Sequence, residues 1–85
     1  MTWEILAKWS MENPGDPEYW YQEIAITHRG LVLYSVGGYD SGWAGCHEKS
    51  LTLDSAYIRL ESMLHLGMIS YEQYGDAYAK LERLS

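Results

Sequence analysis

The hydrophobic pattern of this 85-residue chain changes its period once, near residue 50. Before that point, apolar and polar residues alternate in short runs separated by glycine, proline, asparagine and aspartate, which is typical of antiparallel strands joined by tight turns. After it, apolar residues recur every three or four positions, as in amphipathic helices. The sequence therefore predicts one α+β domain, residues 1–85, in which a β-meander over 1–48 precedes a helical hairpin over 51–85.

Three or four antiparallel strands are expected in the meander. Residues 19–36 read as a β-hairpin with a tight turn at residues 28–30, where Gly30 supplies a positive φ. The glycine-rich stretch that follows predicts a second tight turn at residues 40–42 and a short returning strand at 43–47. The helical hairpin is expected to pack on one face of this sheet.

The N-terminal run WEILAKWSM, residues 3–11, is compatible with two structures. Its alternation places Trp3, Ile5, Ala7 and Trp9 on one side, which favours a strand. Glutamate, leucine, alanine and lysine are good helix formers, so a short helix is the alternative.

The C-terminal half carries start and stop signals for two helices. Thr52 is placed to cap the first helix, and Gly67 to end it, with Met68 folding back on Met63 in a Schellman motif. The run from Ser70 to Gln73 matches a capping box that opens the second helix. The apolar stripes of the two helices are Leu53, Ala56, Tyr57, Leu60, Met63 and Leu64, then Tyr74, Ala77, Tyr78, Leu81 and Leu84.

The segment LESMLHLGMISYEQYGDAYAKLERL, residues 60–84, resembles the SHOCT family of short C-terminal helical hairpins. The matching positions are Leu60, Leu64, Gly67, Ile69, Ser70, Glu72, Tyr74, Lys80 and Leu81. The resemblance covers under a third of the chain and implies self-association or docking, with no catalytic residue. Gly75 departs from the pattern, and a glycine within a helix indicates either close packing or a weak helix.

Charge and composition restrict the classes of partner. The net charge is -6, and residues 1–27 carry five acidic side chains against one lysine. Nucleic acid and anionic membranes repel such a chain, so neither is expected as a direct partner. One cysteine, no basic leader and no long apolar run together predict a cytoplasmic protein.

The stretch SVGGYDSGWAGCHEKS, residues 35–50, partly resembles several catalytic and ligand-binding motifs but matches none of them completely. It lacks the lysine of a phosphate-binding loop and the serine of a nucleophile elbow. Cys46 and His47 are neighbours, so a strand would point them to opposite faces. No catalytic residue, cofactor or metal is therefore expected. A small Cys/His enzyme, or a metal protein using Cys46 with His28, His47 or His65, is the alternative.

Four tryptophans and eight tyrosines beside acidic residues favour a protein-binding surface. If the helices cover the sheet face of Trp20, then Tyr19, Tyr21 and Glu23 lie open on the other. The candidate partner-binding residues are Asp16, Glu18, Tyr19, Tyr21, Glu23, Tyr39, Asp40 and Trp43.

The function expected from this surface is a small non-enzymatic module that binds a basic protein. One form of it is a phage or mobile-element inhibitor of a host defence or nucleic-acid enzyme, similar in size and charge to anti-CRISPR proteins. A homo-oligomerising accessory or adaptor protein, including a homodimer, is the other interpretation.

Overall fold

The computed structural model of the protein describes residues 3–11, 13, 15–38 and 45–84. The strands are β1 (Trp3–Met11), β2 (Trp20–Thr27), β3 (Gly30–Gly37) and β4 (Gly45–Ser50), and the helices are α1 (Leu53–His65) and α2 (Tyr71–Glu82). The strands form one antiparallel sheet in chain order. This arrangement confirms the meander, the helical hairpin and the α+β fold, with a strand at the N-terminus. The returning strand β4 continues to Ser50, beyond the predicted end at residue 47, and the predicted turn at 40–42 lies outside the described residues.

The β2–β3 hairpin turns through His28 and Arg29, because Thr27 pairs with Gly30. Gly30 has a φ of 102°, a conformation that glycine adopts without strain. The Thr27 hydroxyl donates to the Gly30 carbonyl oxygen at 3.0 Å and accepts from the Arg29 N–H at 3.1 Å. The predicted turn is confirmed, and it fixes the register of the two central strands.

A β-bulge in β1 decides which face its side chains occupy. The pairing of β1 with β2 skips Leu6, and an extra residue in one strand reverses the alternation beyond it. Trp3 and Ile5 therefore lie on one face of the sheet, and Ala7 and Trp9 lie on the other. The prediction that these four side chains share one side was wrong for this reason.

Both helices pack on one side of the sheet, which we call the covered face. Its core joins Ile24 and Leu33 of the central strands to Leu60, Met63 and Leu81 of the helices. The opposite side, which we call the open face, has no helix of the described residues packed on it. Its side chains are those of Trp3, Ile5, Lys8, Ser10, Tyr21, Glu23, Ala25, Thr27, Val32, Tyr34, Val36, Cys46, Glu48 and Ser50.

The connection between the helices has the predicted geometry. Gly67 has a φ of 72°, and the Met68 N–H donates to the Met63 carbonyl oxygen at 2.8 Å, as in a Schellman motif. The Ser70 hydroxyl accepts from the Gln73 N–H at 3.1 Å, and the Gln73 side chain accepts from the Ser70 N–H at 3.0 Å. Neither α1 nor α2 is long and apolar enough to span a bilayer, and the described residues contain no other helix.

Two glycines have contrasting surroundings. A Cβ on Gly38 would lie 2.5 Å from the Pro17 carbonyl oxygen and 2.6 Å from that of Asp16, so only glycine permits this approach between β3 and the β1–β2 connection. A Cβ on Gly75 would meet nothing within 4 Å. Close packing therefore does not explain the glycine in α2.

Candidate functional site

The centre of the open face is a shallow apolar surface covered by one aromatic side chain. Trp3 lies opposite Thr27 in the register, yet its indole reaches Tyr34, with ring centroids 5.9 Å apart and planes at 89°. The indole therefore crosses the intervening row, which contains Ala25 and Val32. Both of these residues are buried although neither α1 nor α2 covers them.

Glu23 lies beside this surface and is held by two aromatic donors. The Trp3 Nε1–H donates to Glu23 Oε2 at 2.8 Å, and the Tyr21 hydroxyl donates to Glu23 Oε1, also at 2.8 Å. Glu23 is only 6% exposed. A carboxylate removed from water needs hydrogen bonds or an opposite charge, and here both described donors are neutral.

Charged side chains flank Glu23 along its row of the sheet. The register places Lys8, Glu23, Tyr34 and Glu48 side by side on the open face. Glu48 forms an ion pair with Arg29, whereas Lys8 is exposed and forms no ion pair with another described residue. The buried carboxylate therefore has a cation near it in the register, but no cation of the described residues is bonded to it.

Two tyrosines of the open face hold their protons more tightly than free tyrosine does. Burial raises the pKa of Tyr21, and the hydrogen bond to Glu23 and the charge of Glu23 raise it further. A hydrogen bond with the Cys46 side chain is the main cause that raises the pKa of Tyr34, followed by burial. Both hydroxyls therefore remain neutral hydrogen-bonding groups at physiological pH.

Two of the predicted binding residues, Tyr21 and Glu23, lie on the face that the strand alternation requires, but their exposure differs from the expectation. The helices cover the face that contains Trp20, as predicted. Tyr21 and Glu23 are on the open face, where Glu23 is buried and Tyr21 is half-buried. Tyr19 precedes β2 and is also half-buried. The prediction that Glu23 lies open was wrong, because Trp3 and Tyr21 fold over its carboxylate.

The two described acidic residues of the β1–β2 connection, Asp16 and Glu18, are joined by a local hydrogen bond. Asp16 Oδ1 accepts from the Glu18 N–H at 2.9 Å, and the Asp16 carbonyl oxygen accepts from the Tyr19 N–H at 3.0 Å. The Asp16 carboxylate thus stabilises its own turn, while the Glu18 side chain is exposed. The remaining candidates are Tyr39, Asp40 and Trp43, which lie outside the described residues.

Sequence reasoning missed the two aromatic residues that complete this site. Trp3 and Tyr34 both contact the Glu23 region from neighbouring strands. The alternation of β3 was a usable signal for Tyr34, because a residue paired with Glu23 must share its face. The face of Trp3 could not be predicted in this way, because it depends on the bulge at Leu6, which is seen only in the pairing of β1 with β2.

The residues considered for thiol or metal chemistry are dispersed. Cys46 lies on the open face opposite Val36, and His47 lies on the covered face opposite Ser35, as predicted for neighbours in a strand. His65 lies at the end of α1, 3.6 Å from Glu61. No group of three or more His, Cys, Asp or Glu side chains within the described residues is arranged to hold a metal ion.

Comparison of the chain with protein-family models, with curated proteins and with solved structures found no match. The resemblance of residues 60–84 to the SHOCT family therefore stays a prediction.

Proposed function

We propose that this chain is a small, non-enzymatic protein-binding module that docks a basic protein on its open face. The observation that carries the proposal is the Glu23 carboxylate, held between Trp3 and Tyr21 on the sheet face that the helices leave uncovered. The side chains around it are mostly aromatic and apolar, with Lys8 and Glu48 in the same row of the sheet. Aromatic residues are enriched at the centre of many protein interfaces.

The apolar part of the face supplies contact area. Trp3 is 44% exposed and Ile5 is 39% exposed, and they lie next to each other on the same side of β1. Trp3 is also fixed at both ends of its ring, by the hydrogen bond to Glu23 and by the edge contact with Tyr34. A tryptophan that is already ordered loses little conformational entropy when a partner packs on it.

The carboxylate determines the charge of the partner. A carboxylate accepts about four hydrogen bonds, and the described donors to Glu23 are two. A partner that covers the face removes the remaining water from Glu23, which is unfavourable unless a donor replaces it. An arginine or lysine of the partner is the group that compensates best, because hydrogen bonds between ions are the strongest.

The charge of the whole chain supports the same choice. The net charge is -6, and residues 1–27, which contain β1 and β2, contribute -4 of it. Such a field accelerates the approach of a basic protein and slows that of an acidic one. An inhibitor of a nucleic-acid enzyme, encoded by a phage or mobile element and acting in the cytoplasm, is one specific form of this function, since such enzymes expose basic surfaces.

The test is affinity capture from a lysate of the native host with four baits: the wild type, Ile5→Ser, Glu23→Gln and Ile58→Ser. Ile58 is the matched control, because it is 67% exposed on α1, away from the open face. The expected result is a basic protein that binds the wild type and Ile58→Ser, is lost with Ile5→Ser, and is weakened by Glu23→Gln and by added salt. Circular dichroism confirms that each bait is folded.

Two outcomes would overturn the proposal. Equal capture by all four baits places the partner elsewhere on the chain. A wild type that is dimeric in light scattering, and monomeric after Ile5→Ser, shows that a second copy occupies the open face instead.

A further inference from the structure

The covered face contains a second candidate site, at the end of the sheet beyond the helical core. The register places Gln22, Ser35 and His47 in one row across β2, β3 and β4. Lys49 follows on β4, and Arg59 reaches the same space from α1. The resulting cavity has a volume of about 300 Å³, and it is called the basic cavity below.

Two residues that line this cavity each have a buried polar atom with no hydrogen-bond partner in the part of the chain that the structure describes. Gln22 is 5% exposed, and its Nε2 donates to the Ser35 hydroxyl at 3.4 Å, but its Oε1 accepts from no described residue. The Nε1–H of Trp20 is also buried and donates to no described residue. Buried polar groups are almost always satisfied in proteins. Trp20 and Gln22 both line the cavity, but the two unpartnered atoms are buried beneath its surface. A ligand in the cavity satisfies them if these two side chains turn toward it.

The charges around the basic cavity are opposite to those of the chain as a whole. Among the described residues, its lining contains Lys49, Arg59 and His47 and no acidic residue. Neither Lys49 nor Arg59 forms an ion pair with another described residue. Glu48 lies between His47 and Lys49 in sequence, but it projects from the open face and pairs with Arg29.

We propose that the basic cavity binds a small organic anion that carries a hydrogen-bond donor beside its carboxylate or phosphate group. Lys49 and Arg59 hold the anionic group, and an amide, amine or hydroxyl of the ligand donates to Gln22 Oε1. The Trp20 Nε1–H donates to an acceptor of the ligand. The volume lies at the lower end of the range for ligand pockets, so the ligand is a metabolite rather than a polymer. This site is independent of the open face and of the function proposed for it.

The test is a titration of the full-length, ¹⁵N-labelled protein, followed by NMR, with three probes: inorganic phosphate, N-acetylglycine and adenosine monophosphate. N-acetylglycine and adenosine monophosphate both carry an anionic group and a donor, and they distinguish a carboxylate from a phosphate ligand. Inorganic phosphate measures how strongly Lys49 and Arg59 bind an anion without the organic part of the ligand. The expected result is a saturable shift of the Trp20 indole N–H and the Gln22 side-chain amide with one of the two organic anions at millimolar concentration.

Charge variants inside and outside the cavity distinguish binding in the cavity from a general electrostatic attraction between the protein and the anion. Lys49→Gln and Arg59→Gln should each weaken binding by about tenfold, the effect of losing one charge-assisted hydrogen bond. Arg83→Gln removes the same charge from a position outside the cavity and should leave the affinity unchanged. Equal weakening by all three variants, or the absence of saturable shifts with every probe, would overturn the proposal.

The variant Gln22→Met tests whether Gln22 binds a ligand or only stabilises the fold, because the two roles predict different changes in affinity and unfolding temperature. Methionine has nearly the same length and removes the unpartnered Oε1. If Gln22 serves a ligand, this variant binds the organic anion more weakly and unfolds at a higher temperature than the wild type, because a buried unsatisfied group is lost. A variant that unfolds at a lower temperature and binds as tightly as the wild type shows that Gln22 is only structural.

Discussion

Replacing Gly75 by alanine should stabilise the protein. Gly75 is the fifth residue of α2, and a Cβ at this position would meet nothing within 4 Å. The added methyl group therefore causes no clash and buries no polar atom. Its effect acts through the unfolded chain, in which alanine has fewer backbone conformations to lose than glycine.

The expected gain follows from helix propensity alone. Glycine within a helix costs about 0.5 to 1 kcal/mol relative to alanine, and no packing term has to be subtracted here. For a domain of this size, that gain raises the unfolding temperature by roughly 2 to 8 °C. Thermal and urea unfolding of Gly75→Ala, both followed by far-ultraviolet circular dichroism, measure the change, and an unchanged urea m-value confirms that the unfolded states are comparable.

Gly67→Ala is the matched control, because it adds the same methyl group where the backbone opposes it. A Cβ on Gly67 also meets nothing within 4 Å, but the φ of Gly67 is 72°. A left-handed conformation costs alanine about 1 to 2 kcal/mol, so this variant should be destabilised. A Gly75→Ala variant that is no more stable than the wild type would contradict this prediction, as would a change of stability in the same direction for both substitutions.

Three further substitutions test other contacts. Gly38→Ala should cost about 1 to 3 kcal/mol in urea unfolding, because its Cβ would overlap backbone atoms of residues 16–17. Ser70→Ala should cost about 1 kcal/mol through the lost helix cap. The raised pKa of Tyr21 means that the folded state keeps this proton longer than the unfolded chain. The free energy of unfolding should therefore fall as pH rises above about 10, and the fall should be shallower in Tyr21→Phe.

The elements of this fold are readable from the sequence because each is specified locally. The change of period near residue 50, the turn before Gly30 and the capping box at Ser70 all depend on residues within a few positions of one another. The structure confirms each of them. The Gly67 turn is confirmed for the same reason, since the residue that needs the positive φ lies next to the helix end.

The candidate site was less predictable because its parts meet across strands. Glu23 accepts a hydrogen bond from Trp3, 20 residues away, and only the bulge at Leu6 brings that indole to the open face. A bulge is a property of the pairing between two strands. Because Ile5, Leu6 and Ala7 are all apolar, the sequence of β1 does not show where its alternation reverses. The position of Tyr34 beside Glu23, in contrast, could be predicted from the register of the β2–β3 hairpin alone.

Strand alternation also explains how a chain with so few cations builds two surfaces of opposite character. On β2, Gln22 points to the basic cavity while Glu23 points to the open face. On β4, Glu48 points to the open face while Lys49 points to the cavity. Residues 28–50 carry no net charge, so their composition hides this separation. A shift of the β3–β4 register by one residue would exchange the faces of Glu48 and Lys49. That register is therefore as important to the proposed sites as the side chains themselves.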